Sequence, residues 1–163
     1  MENKIVLVKS TIGALVTINV PSANFRRDWL KKGAIQRIPF NTLQEIIFDP
    51  GVEYLFKTGI LYIDDMDVKI ELGLEESGTT EPVIKNYTEE DALKLLTAIP
   101  LKDFRAEVEH MSIEQAKELV DVAIRHKITD YQRCKALEEK TGTKVNKIVQ
   151  EELEYEDLQA TNE

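Results

Sequence analysis

Cysteine and histidine are almost missing from this 163-residue chain, which has a single thiol, Cys134, and two imidazoles, His110 and His126. One thiol excludes an internal disulfide framework and a Cys-based zinc site. Two histidines leave little material for metal binding or for His-dependent catalysis, and neither has a Ser or Cys nucleophile near it in sequence. The seven glycines, at positions 13, 33, 51, 59, 73, 78 and 142, never cluster into a loop that could cradle a phosphate, and no Gly-Lys-Ser/Thr run occurs. No apolar run approaches the roughly 20 residues of a membrane-spanning helix. The opening Met1-Glu2-Asn3-Lys4 leads into Ile5-Val6-Leu7-Val8, too short an apolar stretch for a signal peptide. These absences predict a soluble intracellular protein with no cofactor, no metal and no enzyme activity.

What is present is ordinary in amount and uneven in distribution. Hydrophobic residues make up 42% and charged residues 31% of the chain, with a net charge of −9, enough apolar material for a real core. Residues 1–40 carry seven basic and two acidic side chains, whereas residues 41–163 carry 14 basic and 28 acidic ones. Such asymmetry suggests two functional faces or a polar assembly. Glu151, Glu152, Glu154, Glu156 and Asp157 close the chain without a base among them. That stretch reads as a fraying helix end or as a disordered acidic tail.

Periodicity predicts an α+β protein. Lys4–Lys9 alternates poorly but is rich in β-branched residues, Ala14–Val20 is richer still, and the Ser10-Thr11-Ile12-Gly13 link makes the pair an antiparallel hairpin. Pro21 ends the second strand. Residues 22–33 form a basic, aromatic-bearing connection of unassigned conformation, and 34–40 form a third strand. Asn41 with Gln44 has the pattern of a capping box for a short helix carrying Leu43, Ile46 and Ile47. Asp49 and Pro50 start a second helix, which Gly59 stops, Ile60–Ile63 is a strand, and Asp64-Asp65 cap a third helix that ends at Gly73.

Residues 75–87, with Ser, Gly, Thr-Thr and Pro, read as a linker. Everything beyond is helical. Thr88 with Asp91 and Ser112 with Gln115 are capping patterns, and Leu101, Phe104, Val108 and Met111 form an apolar seam. Ile113, Ala116, Leu119, Val120, Ala123 and Ile124 form another; Asp130 caps a helix that Gly142 stops, and Thr143 starts the last one. The expected organisation is an α+β domain over 1–74 with about four strands and three short helices, a linker over 75–87, a bundle of about five short helices over 88–150, and an acidic tail over 151–163.

Chemistry-bearing clusters are few. His126 and His110 fall near helix ends, where a cation suits the dipole, and Cys134 lies on an apolar helix face as an inert thiol. Asp64-Asp65-x-Asp67 lacks the glycine and distal glutamate of a calcium loop, so capping explains it better. One surface constellation stands out: Phe25, Arg26, Arg27, Trp29, Lys31 and Lys32, with Arg37 following. Basic groups interleaved with aromatics suit a protein interface, where Trp and Arg are favoured anchors. They also suit phosphates and stacked bases, against which the acidic balance of the chain weighs. Packing of Trp29 in the core, with the basic heads merely solvated, is the third reading.

The run from Asn24 to Phe40 (NFRRDWLKKGAIQRIPF) resembles a motif of small virion proteins from tailed gut bacteriophages, including crAss-like phages. Leu43-Gln44-Glu45, the stretch from Asp49 to Phe56, the stretch from Gly59 to Met66 and Leu72-Gly73-Leu74 continue it. A looser similarity covers the helical half, notably Ile99–Phe104 and Asp130–Cys134, and none covers the acidic end. The resemblance implies a non-enzymatic structural protein, an auxiliary capsid protein that stabilises or decorates the major capsid lattice. Its implied partners are the major capsid protein and other virion proteins, contacted in many copies per particle, with neither nucleic acid nor membrane as partner. Its implied location is the virion capsid, and the host cytoplasm during assembly. A neck, tail or packaged virion protein is the alternative within particles, and a small nucleic-acid-binding regulator using residues 25–37 is the alternative from another class.

Overall fold

Val6 and Val8 point inward and Ile5 and Leu7 outward along β1 (Ile5–Ser10), so an almost uniformly apolar strand has two different faces. β1 is the centre of a three-stranded antiparallel sheet, with β4 (Ile35–Pro39) on one side and the two-residue β5 (Leu61–Tyr62) on the other. A second, two-stranded sheet pairs β2 (Val16–Val20) with β3 (Phe25–Trp29). The computed structural model describes residue 1 and residues 3–162. It divides into two units, Met1–Asn86 and Tyr87–Glu163, each with its own hydrophobic core. The chain is thus α+β, with strands, among the described residues, confined to the first unit and five helices in the second.

The expected hairpin between the first two strands does not form. Past β1 the chain keeps following residues 59–60: the Thr11 N–H donates to the Ile60 carbonyl at 3.0 Å, and the Thr11 hydroxyl donates to the Gly59 carbonyl. That course carries the chain away from β1, and β2 finds its partner in the basic segment that the sequence left unassigned. A short 3₁₀ turn, Pro21–Ala23, joins β2 to β3, and Asn24 closes it in the left-handed region (φ 49°), which Asn tolerates better than other side chains.

The first-unit helices pack on these strands. α1 (Phe40–Ile46) buries Phe40, Leu43 and Ile46. The Asn41/Gln44 capping box is absent, because the helix begins directly from β4. The Phe40 N–H is taken by the Lys4 carbonyl at 2.8 Å, and the Asn41 side chain accepts from Thr42 N–H. α2 (Pro50–Lys57) is capped by Asp49, whose Oδ1 accepts from Gly51 N–H at 2.9 Å. Asp65 caps α3 (Met66–Glu71) through Val68 N–H. Residues 72–88 contain no helix or strand.

The second unit comprises α4 (Glu89–Thr97), α5 (Leu101–His110), α6 (Ile113–Arg125), α7 (Tyr131–Thr141) and α8 (Val145–Thr161). Both predicted capping boxes, Thr88/Asp91 and Ser112/Gln115, are formed. Phe104, Leu119, Cys134, Leu137 and Val145 are among the buried residues of its core. Arg133 is buried among them: Nε reaches Asp130 at 2.9 Å, Nη1 donates to the Leu95 carbonyl at 3.1 Å and Nη2 to the Ile99 carbonyl. It thereby satisfies carbonyls at and beyond the C-terminal end of α4 that no helical N–H can reach. The acidic stretch continues α8, so of the two readings the helix end is the one observed, and its side chains are almost all exposed.

Candidate protein interface

β3 divides the predicted constellation between core and surface. Phe25 and Trp29 are buried, while Arg26 and Arg27 are exposed between them. Trp29 has no exposed surface and donates its indole N–H to the Val8 carbonyl at 2.9 Å. The expectation that Phe25 and Trp29 could anchor a partner is therefore corrected: both are core residues, and no surface remains on Trp29 for a partner to cover. The Arg27 guanidinium lies 5.1 Å from the Phe25 ring centre, and Arg26 pairs with Asp28 at 3.7 Å. Lys31 and Arg37 are exposed and Lys32 is half-buried. Part of the N-terminal positive charge is matched locally, since Lys4 bonds Asp65 and Lys9 lies 3.9 Å from Asp64.

The apolar anchors lie elsewhere. On the outer face of the β4-β1-β5 sheet, the register sets Ile5 opposite Pro39, Leu7 opposite Arg37, and Lys9 opposite Ile35 and Tyr62. Residues directly opposite in an antiparallel pair share a face. Ile5 is 44%, Leu7 53% and Ile35 49% exposed, so three aliphatic side chains and two bases form one open patch. A second exposed pair, Leu15 and Leu30, sits one step past the Val16–Trp29 end of the β2–β3 ladder.

Sequence reasoning missed these aliphatic residues for a definite reason. A strand apolar on both faces reads as fully buried, and only the arrangement of helices shows which face stays open. The one available signal for Leu30 was its position next to Trp29, since neighbours in an extended chain point to opposite sides.

The remaining titratable groups have structural surroundings. His126 Nε2 lies 2.9 Å from Glu89 Oε1, and Arg125 reaches both oxygens of the same carboxylate at 2.8 and 3.0 Å. Burial pushes the Cys134 thiol up to about 11, which leaves it unreactive at neutral pH. The Tyr87 hydroxyl donates to Glu107 at 2.7 Å, and burial with that carboxylate raises its pKa. Among the described residues no group of three or more His, Cys, Asp or Glu side chains could hold a metal ion, and no helix is long and apolar enough to cross a membrane.

Comparison with protein-family models, with curated proteins and with solved structures returned no match.

Proposed function

We propose that this chain is a bacteriophage virion structural protein, an auxiliary capsid protein that binds the major capsid lattice through the outer face of its β4-β1-β5 sheet. The observation that carries the reading is the patch of Ile5, Leu7 and Ile35 flanked by Lys9 and Arg37. Aliphatic side chains held open on a rigid sheet, rimmed by bases, suit a partner with an apolar centre and acidic surroundings. The sequence resemblance over residues 24–74 supports a virion as the setting, and repetition by capsid symmetry multiplies a modest contact many times. The nucleic-acid alternative is disfavoured by burial, because Phe25 and Trp29 have no ring face left on which to stack a base.

Quantitative mass spectrometry of purified particles tests the reading. A copy number on the order of hundreds per particle supports a capsid position, about a dozen assigns the chain to the neck instead, and absence from particles overturns the reading.

A further inference from the structure

An open pocket of about 410 Å³ lies in the first unit between α2, β5, α3 and the segment that follows α3, a size typical of small-molecule sites. Phe56, Ile63, Leu74 and Ile84 give it an apolar lining, and Tyr62, Lys69 and Glu75 bring polar groups to it. The Lys69 and Glu75 side chains are only 6% and 4% exposed. An ion pair taken this far out of water is costly unless close contact and further hydrogen bonds compensate. Here they do not. Lys69 Nζ stands 3.9 Å from Glu75 Oε1, beyond hydrogen-bond distance, with the Tyr62 ring centre 4.7 Å away and the Asp64 charge acting on it as well. Glu75 Oε1 accepts from Val83 N–H at 3.0 Å, while Oε2 has no partner.

The backbone holds the pair in place. Leu74 N–H donates to the Lys69 carbonyl at 2.8 Å, and Gly73 turns the chain there with φ +74°. Burial lowers the Lys69 pKa against the opposing pull of Glu75 and raises that of Tyr62. A buried cation and a buried anion, the latter with its Oε2 lacking a partner, lie side by side on a cavity that Lys57, Glu76 and Thr79 also line. Buried polar groups left open in this way call for a partner, and charged ones are best met by groups of opposite charge.

We propose that this pocket binds an apolar α-amino acid, its carboxylate on Lys69, its ammonium on Glu75 and its side chain against Phe56 and Ile84. A ligand with only a carboxylate keeps the repulsion of Glu75, and one with only an ammonium keeps that of Lys69. The site therefore selects for both charges carried on one carbon, a requirement independent of the virion reading.

The test is a titration of the full-length protein with L-phenylalanine, followed by amide NMR shifts, beside 3-phenylpropionate and 2-phenylethylamine as single-charge analogues. Saturable shifts at Leu74, Glu75 and Val83, with each analogue at least tenfold weaker, are expected. Lys69→Met should abolish binding in a folded protein. If that variant does not fold, Glu75→Gln decides, because its amide oxygen can keep the Val83 bond while the negative charge is lost, and a tenfold weakening is expected. Absence of saturable shifts, an analogue that binds as tightly as the amino acid, or unchanged affinity in the deciding variant overturns the proposal.

Discussion

Trp29 and Val8 are joined by a hydrogen bond from the indole N–H to the backbone carbonyl, 2.9 Å long, linking β3 of one sheet to β1 of the other. The same bond fixes the fate of the basic segment. With Trp29 committed to the interior, alternation turns Arg26 and Leu30 outward, while Arg27, on the side of Phe25, reaches solvent across that ring.

Trp29→Ala should destabilise the first unit by about 3–5 kcal/mol, through lost burial and the cavity left behind. Trp29→Phe keeps most of the volume but loses the indole bond to the Val8 carbonyl, at a cost of about 0.5–1.5 kcal/mol. Urea unfolding followed by tryptophan-independent circular dichroism measures both. A Trp29→Ala protein of unchanged stability would contradict the core assignment.

How far the fold was legible follows from cases like this one. Capping chemistry was local and mostly readable: Asp49, Asp65, Thr88, Ser112 and Asp130 cap the helices they were expected to cap, whereas the Asn41 box does not form and the last helix has Lys144, not Thr143, as its N-cap. Strand pairing was not legible, because β1 and β2 are compatible with each other in composition and only the pairing of β1 with β4 and β5, continued by the Thr11 bonds to residues 59–60, decides against the hairpin. The open sheet face was hardly legible: of the bases singled out in the sequence only Arg37 lies on it, and its apolar residues, Ile5, Leu7 and Ile35, belong to strands that read as buried.

Lys4 and the Val68 N–H, with the Lys4 hydrogen bond the larger cause, hold the Asp65 carboxyl below the usual carboxylate range. A folded value below the unfolded value of about 3.9 means that the stabilisation is complete above that pH and is lost as pH falls through the folded value. Asp65→Asn keeps a capping side chain and removes the charge. The stability gap between the two proteins should be level from neutral pH to about pH 5 and close below about pH 4. Acid titration of their urea midpoints checks this, and a gap that persists unchanged at low pH would contradict it.

Arg133 is the buried base whose removal should be felt most strongly in the helical unit. Arg133→Met removes the guanidinium donor from the Leu95 and Ile99 carbonyls and from Asp130 Oδ2, while the backbone cap on Asp130 Oδ1 remains, a loss of about 2–4 kcal/mol. Arg133→Lys should recover little, since one ammonium cannot span three acceptors held by a planar fork. Thermal unfolding of both variants distinguishes this from simple charge loss, in which Lys would restore stability.

If Lys9 and Arg37 form the basic rim of the docking face, their joint replacement by Glu should slow association with particles and flatten its salt dependence, with a smaller effect on dissociation. Stopped-flow or biosensor measurement over a salt series reads both rates. Unchanged salt dependence would remove these bases from the interface.

Incorporation of Leu7→Glu/Ile35→Glu into particles tests the docking face most directly. Both side chains are half exposed, so the double variant should fold with a stability within about 1 kcal/mol of the parent. Particles assembled with the wild-type chain and with the variant are compared by quantitative mass spectrometry. The account predicts abundant wild-type chain and at least a tenfold loss of the folded variant; equal incorporation of the two would contradict it.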